Sequence, residues 1–144
     1  MLRIKILLLV FTSFLITGCS GDDDSGDIMQ NLAAVVSVEM PEEFEEGSRY
    51  DLHIVYERPT SCHTFSGLDI SEEGNKMTIG VVTSFLTNNN LNCVDTGNLQ
   101  ATATINFVAE QEEFYIFRFW KGRNAAGRDE FLIFEIPVTP PGTD

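Results

Sequence analysis

Strict alternation of apolar and polar side chains over residues 99–108 is the feature of this sequence that most constrains its fold. The apolar members of the run are Leu99, Ala101, Ala103, Ile105 and Phe107. Successive side chains of a β-strand point to opposite faces of the sheet, so this period places all five on one face. The run therefore predicts a half-buried strand, with one face against a core and the other in water.

Six further runs of apolar and β-branched residues recur between polar turns, and no stretch has a helical period of useful length. The seven predicted strands cover residues 33–40, 50–57, 63–70, 76–86, 99–108, 114–120 and 131–138, and residues 42–47 are predicted as an acidic turn. Short strands at this spacing predict an all-β protein, an immunoglobulin-like antiparallel β-sandwich of about seven strands. The pattern lacks the buried tryptophan and inter-sheet disulfide of antibody domains, so an eight-stranded barrel is the alternative.

The N-terminus has the pattern of a secretory signal. Arg3 and Lys5 precede an apolar run over residues 6–16, which is shorter than the roughly 20 residues needed to cross a bilayer. The run closes on Ile16-Thr17-Gly18-Cys19, which resembles the lipobox of bacterial lipoproteins. That resemblance implies that Cys19 is lipidated and becomes the mature N-terminus. A plain secretory signal that ends near a cysteine is the alternative.

The residues after Cys19 carry a second resemblance. Asp22, Asp23 and Asp24 are similar to the acidic export signal of Bacteroidota surface lipoproteins. This implies a protein anchored by lipid in the outer membrane, facing either the periplasm or the cell exterior. The expected organisation is a signal peptide (1–18), a lipidated flexible tether (19–32), a β-sandwich domain (33–139) and a short tail (140–144).

The two remaining cysteines form an even pair. In an oxidising compartment Cys62 and Cys93 are expected to form a disulfide that closes a loop of roughly 30 residues. A zinc site is disfavoured because neither cysteine belongs to a C-x-x-C pair.

The net negative charge of the chain limits the kinds of molecule that it is expected to bind. The chain has 9 basic and 22 acidic residues and a formal net charge of −13, which deepens when the signal is removed. Nucleic acid is not an expected partner, because its binding depends on neutralising phosphates with lysine and arginine. The expected association with a membrane is through the N-terminal lipid.

The aromatic run at 114–120 offers a candidate contact surface. Strand alternation places one set of its side chains in the core, Tyr115, Phe117 and Phe119. Arg118 and Trp120 belong to the opposite face, where Trp120 either packs at a sheet edge or stacks on a sugar or a protein partner.

Four cations lie close together in the hairpin that is predicted to join the last two strands. They are Arg118, Lys121, Arg123 and Arg128. Arginine binds carboxylate, sulfate and phosphate groups in a bidentate manner, so this hairpin is a candidate anion-binding surface. The alternative is that these cations pair with neighbouring acids such as Asp129 and Glu130.

No catalytic residue, metal site or cofactor is expected. His63 directly follows Cys62, and neighbouring strand residues face opposite sides, so they do not form a nucleophile–base pair. His53 is expected to face solvent or a cross-strand partner. The acidic run at 22–27 does not meet the spacing of a calcium loop.

The function predicted from these features is a recognition module at the cell envelope that binds a glycan or an envelope protein. The loops at 122–129 and 87–98, together with Trp120, are the expected binding surface. The alternative is an accessory subunit of an outer-membrane complex, and an enzyme is the third and least favoured class.

Overall fold

The computed structural model describes residues 26–87, 92–95, 97 and 99–142. The expectations for Cys19, the signal and the acidic run at 22–24 lie outside these residues. The described chain is all β, with nine strands and no helix, and therefore contains no helix able to cross a membrane. The strands are β1 (Ile28–Ala33), β2 (Val35–Glu39), β3 (Phe44–Glu45), β4 (Arg49–Glu57), β5 (Thr64–Glu73), β6 (Lys76–Leu86), β7 (Gln100–Val108), β8 (Phe114–Arg123) and β9 (Asp129–Thr139).

The strands form two sheets that pack face to face. The large sheet has six strands in the order β1-β6-β8-β9-β3, with β5 also paired to β6, and the small sheet has the order β2-β4-β7. Strand β6 is long enough to hold two neighbours in succession along one edge. Its first half pairs with β8, from Lys76 opposite Ile116 to Ile79 opposite Phe119, and its second half pairs with β1.

Strand alternation builds the core as expected. In β7 the side chains of Ala103, Ile105 and Phe107 are buried, and the residues between them are exposed. In β8 the buried set is Tyr115, Phe117 and Phe119, and the alternate residues are only half-buried. The prediction of an all-β protein is thus confirmed, and the two layers agree with a sandwich.

Two pairs of strands depart from the antiparallel prediction. β6 pairs with β8 in parallel, and β3 pairs with β9 in parallel. A parallel pair needs a long crossover, since a tight hairpin reverses the chain. Here residues 87–113, which include β7 of the other sheet, connect β6 to β8.

The predicted tether at 19–32 is wrong in its last residues. Ile28 to Ala33 form β1, in register with Leu86 to Val81 of β6. The tether prediction rested on polar residues such as Gln30 and Asn31, but residues 28–32 of this edge strand are all exposed, so polar side chains are tolerated on both of its faces. The described domain therefore begins about five residues earlier than the sequence indicated.

The acidic stretch at 42–47 holds a second strand that the sequence did not indicate. β3 has only two residues, and Phe44 pairs with Val138 and is 0% exposed. Its ring contacts that of Phe107 at 4.9 Å between centroids and that of Phe117 at 5.8 Å. This acidic turn is therefore anchored in the core by one aromatic side chain.

The disulfide is present between Cys62 and Cys93, 31 residues apart in sequence. Next to it, the backbone of Ser61 donates to the carbonyl of Val94, and the Val94 amide donates to the Ser61 hydroxyl, both at 3.0 Å. The described part of the loop after β6 is thereby held against the turn before β5.

Candidate functional site

The outer face of the large sheet is the side that points away from the small sheet. Register places Arg118 opposite Ile133 and Trp120 opposite Phe131, so these four side chains share this face. Trp120 and Phe131 are half-buried and Ile133 is 63% exposed. The structure thus puts Trp120 on the non-core face, as strand alternation predicted.

Trp120 is held in place by a carboxylate at the end of the hairpin. Its indole Nε1 donates to Asp129 Oδ1 at 3.0 Å, and Arg123 Nε donates to the same oxygen at 2.9 Å. The hydrogen bond from Trp120, followed by that from Arg123, lowers the pKa of Asp129. Asp129 therefore remains ionised and orients both neighbours.

A shallow depression of about 200 Å³ opens beside this cluster. Asp69, Ser71 and Thr78 contribute polar groups to its wall, and Leu32 and Phe131 contribute apolar surface. The depression can bind an apolar or ring-shaped group against the aromatic side chains while its polar wall accepts hydrogen bonds.

Gly80 shapes the floor of the depression. A Cβ atom at this position would lie 2.8 Å from Leu32 Cδ2, so the absence of a side chain lets Leu32 pack across β6. Thr78 and Val82, the next residues on this face of β6, are half-buried.

Each of the other three cations of the hairpin has a different environment. The Arg118 guanidinium carbon lies 4.2 Å from the centroid of the Phe131 ring, in a cation–π contact. Lys121 Nζ lies 3.8 Å from Glu130 Oε2. Arg128 is exposed on the turn, where its backbone amide donates to Asn124. The four predicted cations thus share one hairpin, and two of them pair with the acids named as the alternative.

The two ends of the sandwich differ in charge. Hydrogen bonds from the Gly47 amide to the Ala109 carbonyl and from the Ile116 amide to the Asn75 carbonyl bring three loops together at one end. This acidic end carries Glu42, Glu43, Glu45, Glu46, Glu72, Glu73, Glu110, Glu112 and Glu113. β8 starts at this end, so the basic turn that follows β8 lies at the opposite end.

Each of the two histidines lies within hydrogen-bonding distance of a threonine hydroxyl. His53 is exposed and its Nδ1 lies 3.1 Å from Thr104 Oγ1 of the neighbouring strand. His63 is 4% exposed, lies 2.8 Å from the Thr60 hydroxyl and packs on Phe85 at 4.4 Å between ring centroids. Its Nε2 finds no hydrogen-bond partner among the described residues.

Burial of His63 predicts a loss of stability in acid. Desolvation lowers the pKa of His63 below its ordinary value of 6.5, so the unfolded chain takes up the proton first as the pH falls. The stabilising contribution of the neutral ring is complete above pH 6.5 and is lost as the pH falls through the folded-state pKa. We expect urea unfolding of His63→Phe to depend less steeply on pH between neutrality and mild acid than that of the wild type. The matched exposed variant His53→Phe should retain the wild-type slope, and an equal slope in both variants would contradict the assignment.

Metal ligation finds no support among the residues that the structure describes, where no group of three or more His, Cys, Asp or Glu side chains is placed to hold an ion. Part of the predicted binding loop at 87–98, residues 88–91, 96 and 98, lies outside the description. Comparison of the chain with protein-family models, with curated proteins and with solved structures found no match.

Proposed function

We propose that the protein is a recognition module that binds an envelope protein through the outer face of its large sheet. The observation that supports the proposal best is the row formed by Trp120, Phe131 and Ile133 on that face. The solvated face of an antiparallel sheet normally carries polar side chains. Contiguous exposed apolar surface rimmed by charge is typical of a protein-binding site.

The composition of this face favours a protein partner. Tryptophan and arginine are enriched among residues that dominate binding energy, and Trp120 and Arg118 lie on adjacent positions of the face. Both are already oriented, Trp120 by Asp129 and Arg118 by Phe131. Side chains ordered before binding lose less entropy when the complex forms.

A glycan is the second candidate ligand. The specific observation in its favour is the depression beside Trp120, in which Asp69, Ser71 and Thr78 offer hydrogen-bonding groups next to an aromatic ring. A sugar ring presents C–H groups that stack on an indole and hydroxyls that donate to carboxylates. Trp120 is the only tryptophan of the chain, so its fluorescence reports directly on binding at this place.

We also propose that Cys19 carries the lipid anchor in the outer membrane. The lipobox and the acidic residues after it support this assignment. Eight residues lie between Cys19 and Ile28, the start of β1, and even a fully extended chain from one to the other spans only about 30 Å. The domain is therefore held close to the bilayer by a tether shorter than the sequence had indicated.

For the fold, we propose a variant of the immunoglobulin sandwich. The small sheet β2-β4-β7 resembles the A-B-E order of that fold, and β6-β8-β9 resembles C-F-G. The Tyr115 hydroxyl accepts a hydrogen bond from the Glu110 amide five residues upstream, as in a tyrosine corner. The parallel pairing of β6 with β8 is the departure from that fold.

The binding proposal is tested by purifying the anchored protein from membranes under mild detergent, with and without changes on the outer face. We expect Trp120→Ala to reduce recovery of the partner by about tenfold or more, and Ile133→Ser to reduce it severalfold. Val36→Ser is the matched control, because Val36 is 43% exposed and belongs to the small sheet. Equal recovery in all variants would contradict the proposal.

The same experiment separates the recognition module from an accessory subunit. A subunit of a complex co-purifies in a fixed ratio, whereas a recognition module is recovered in variable ratio that depends on the abundance of its partner. A glycan ligand would instead change Trp120 fluorescence on titration of the purified chain with envelope polysaccharide. In that case Ser71→Ala and Asp69→Asn should weaken the change.

A further inference from the structure

A second candidate surface lies where the two sheets end on the same side. β5 pairs only with β6, and β7 pairs only with β4, so among the described strands each has a free edge. On this side β5 of the large sheet is not fully covered by β7 of the small sheet. Phe65 and Ile70, which share the inward face with the buried residues of β6, are 49% and 40% exposed as a result.

A cleft of about 320 Å³ opens between these two strands. We call it the edge cleft. Ile70 and Met77 of the large sheet and Ile105 and Phe107 of the small sheet provide its apolar surface. Three of these four residues are buried, so the cleft reaches the core.

The polar rim of the edge cleft is acidic. Glu72, Glu110 and Glu112 line it, and no lysine or arginine is among the lining residues. None of the three carboxylates forms an ion pair with another described residue. Burial raises the pKa of Tyr115 at the base of the cleft, and the negative charges of these three glutamates raise it further. The negative electrostatic potential of these glutamates therefore acts on the edge cleft, which lies at the acidic end of the domain.

We propose that the free edge of β5 receives an extended segment of a partner protein, in which apolar and cationic residues alternate. The added strand bonds to the main chain of β5, as in other cases of strand addition. Its apolar side chains extend the surface of Phe65 and Ile70 and enter the edge cleft. Its cations lie on the opposite face of the sheet, beside Asp69 and Glu73 of β5.

A second copy of this chain is disfavoured as the partner, because negative charges on the two β5 strands would repel each other. Pairing of two β5 strands would bring Asp69, Glu72 and Glu73 of both copies together. Like charges opposite one another destabilise strand pairs. The bulge between Phe65 and Gly67 also interrupts the regular ladder at one end of β5, which disfavours long symmetric pairing.

The proposal is tested with the purified full-length chain and a synthetic peptide of about eight residues in which valine and lysine alternate. Binding is measured by fluorescence anisotropy of a labelled peptide. Two further peptides carry N-methyl groups on alternate residues, one on the valines and one on the lysines. One set of amides faces β5 and the other faces solvent, so we expect only one methylated peptide to lose affinity, by about tenfold or more.

Charge and sequence order are tested in the same assay. Combined Asp69→Asn and Glu73→Gln should weaken binding by about threefold to tenfold, and the control pair Glu42→Gln and Glu43→Gln should weaken it less. A peptide of the same composition with its valines and lysines in blocks should also bind less tightly. The proposal is overturned if both methylated peptides bind like the parent, because the attraction is then electrostatic alone. It is equally overturned if the parent peptide fails to bind or if the control pair weakens binding as much.

Discussion

Phe44→Ala is expected to lower the free energy of unfolding by about 3–5 kcal/mol, the cost of emptying a fully buried aromatic site. Phe44 is the single side chain by which β3 enters the core. Its ring lies between 4.7 and 6.2 Å, centroid to centroid, from those of Tyr50, Phe107, Tyr115 and Phe117. Urea unfolding followed by circular dichroism measures the change.

A matched control uses the same substitution at an exposed phenylalanine. Phe65 is 49% exposed, so Phe65→Ala should cost much less than Phe44→Ala. A loss at Phe44 as small as that at Phe65 would contradict the anchoring role of β3 and would agree with a surface turn at 42–47.

Loss of the disulfide is expected to have an effect of similar size. In the chain-entropy model a bridge that closes a loop of this length contributes about 3.5 kcal/mol. The double variant Cys62→Ser/Cys93→Ser should therefore unfold roughly 15 °C below the oxidised wild type, when thermal unfolding is followed by calorimetry.

Reduction of the wild-type chain is the control for this effect. The reduced protein should unfold at nearly the same temperature as the double serine variant, because both lack the same constraint on the unfolded chain. A small drop in both would mean that the loop after β6 is held mainly by the contacts between Ser61 and Val94.

The middle of the chain could be predicted well from its sequence. The run at 99–108 alternates from Leu99 to Phe107, and one-sided burial is the arrangement that satisfies such a pattern. The same reasoning separated Tyr115, Phe117 and Phe119 from Arg118 and Trp120, and the structure buries the first set. In these stretches local pattern and tertiary packing agree.

Two strands could not be predicted, and the reasons are physical. β1 is an edge strand with five exposed residues, so its composition resembles a linker, and its pairing with β6 is a tertiary interaction. β3 is only two residues long, too short for a period, and four glutamates surround its one apolar residue, Phe44. In both cases long-range contacts outweigh local composition.

The candidate surfaces were predictable only in part. The sequence placed Trp120 and the hairpin cations together, but Ile133 and Leu32 join them only because β9 and β1 flank the same region of the sheet. The edge cleft depends on which strands end each sheet. Strand order is a property of the whole fold, so the local sequences of β5 and β7 do not indicate that these strands lie at sheet edges.

The most direct test of the proposed function is site-specific photo-crosslinking in intact cells. A photoreactive amino acid replaces Ile133 on the outer face in one strain and Val36 on the small sheet in another. These two aliphatic side chains are 63% and 43% exposed, so neither replacement disturbs the core. We expect a discrete crosslinked species from position 133 that disappears with Trp120→Ala, and none from position 36. Crosslinks from position 36 alone, or an unchanged species in the Trp120→Ala strain, would contradict the proposed function.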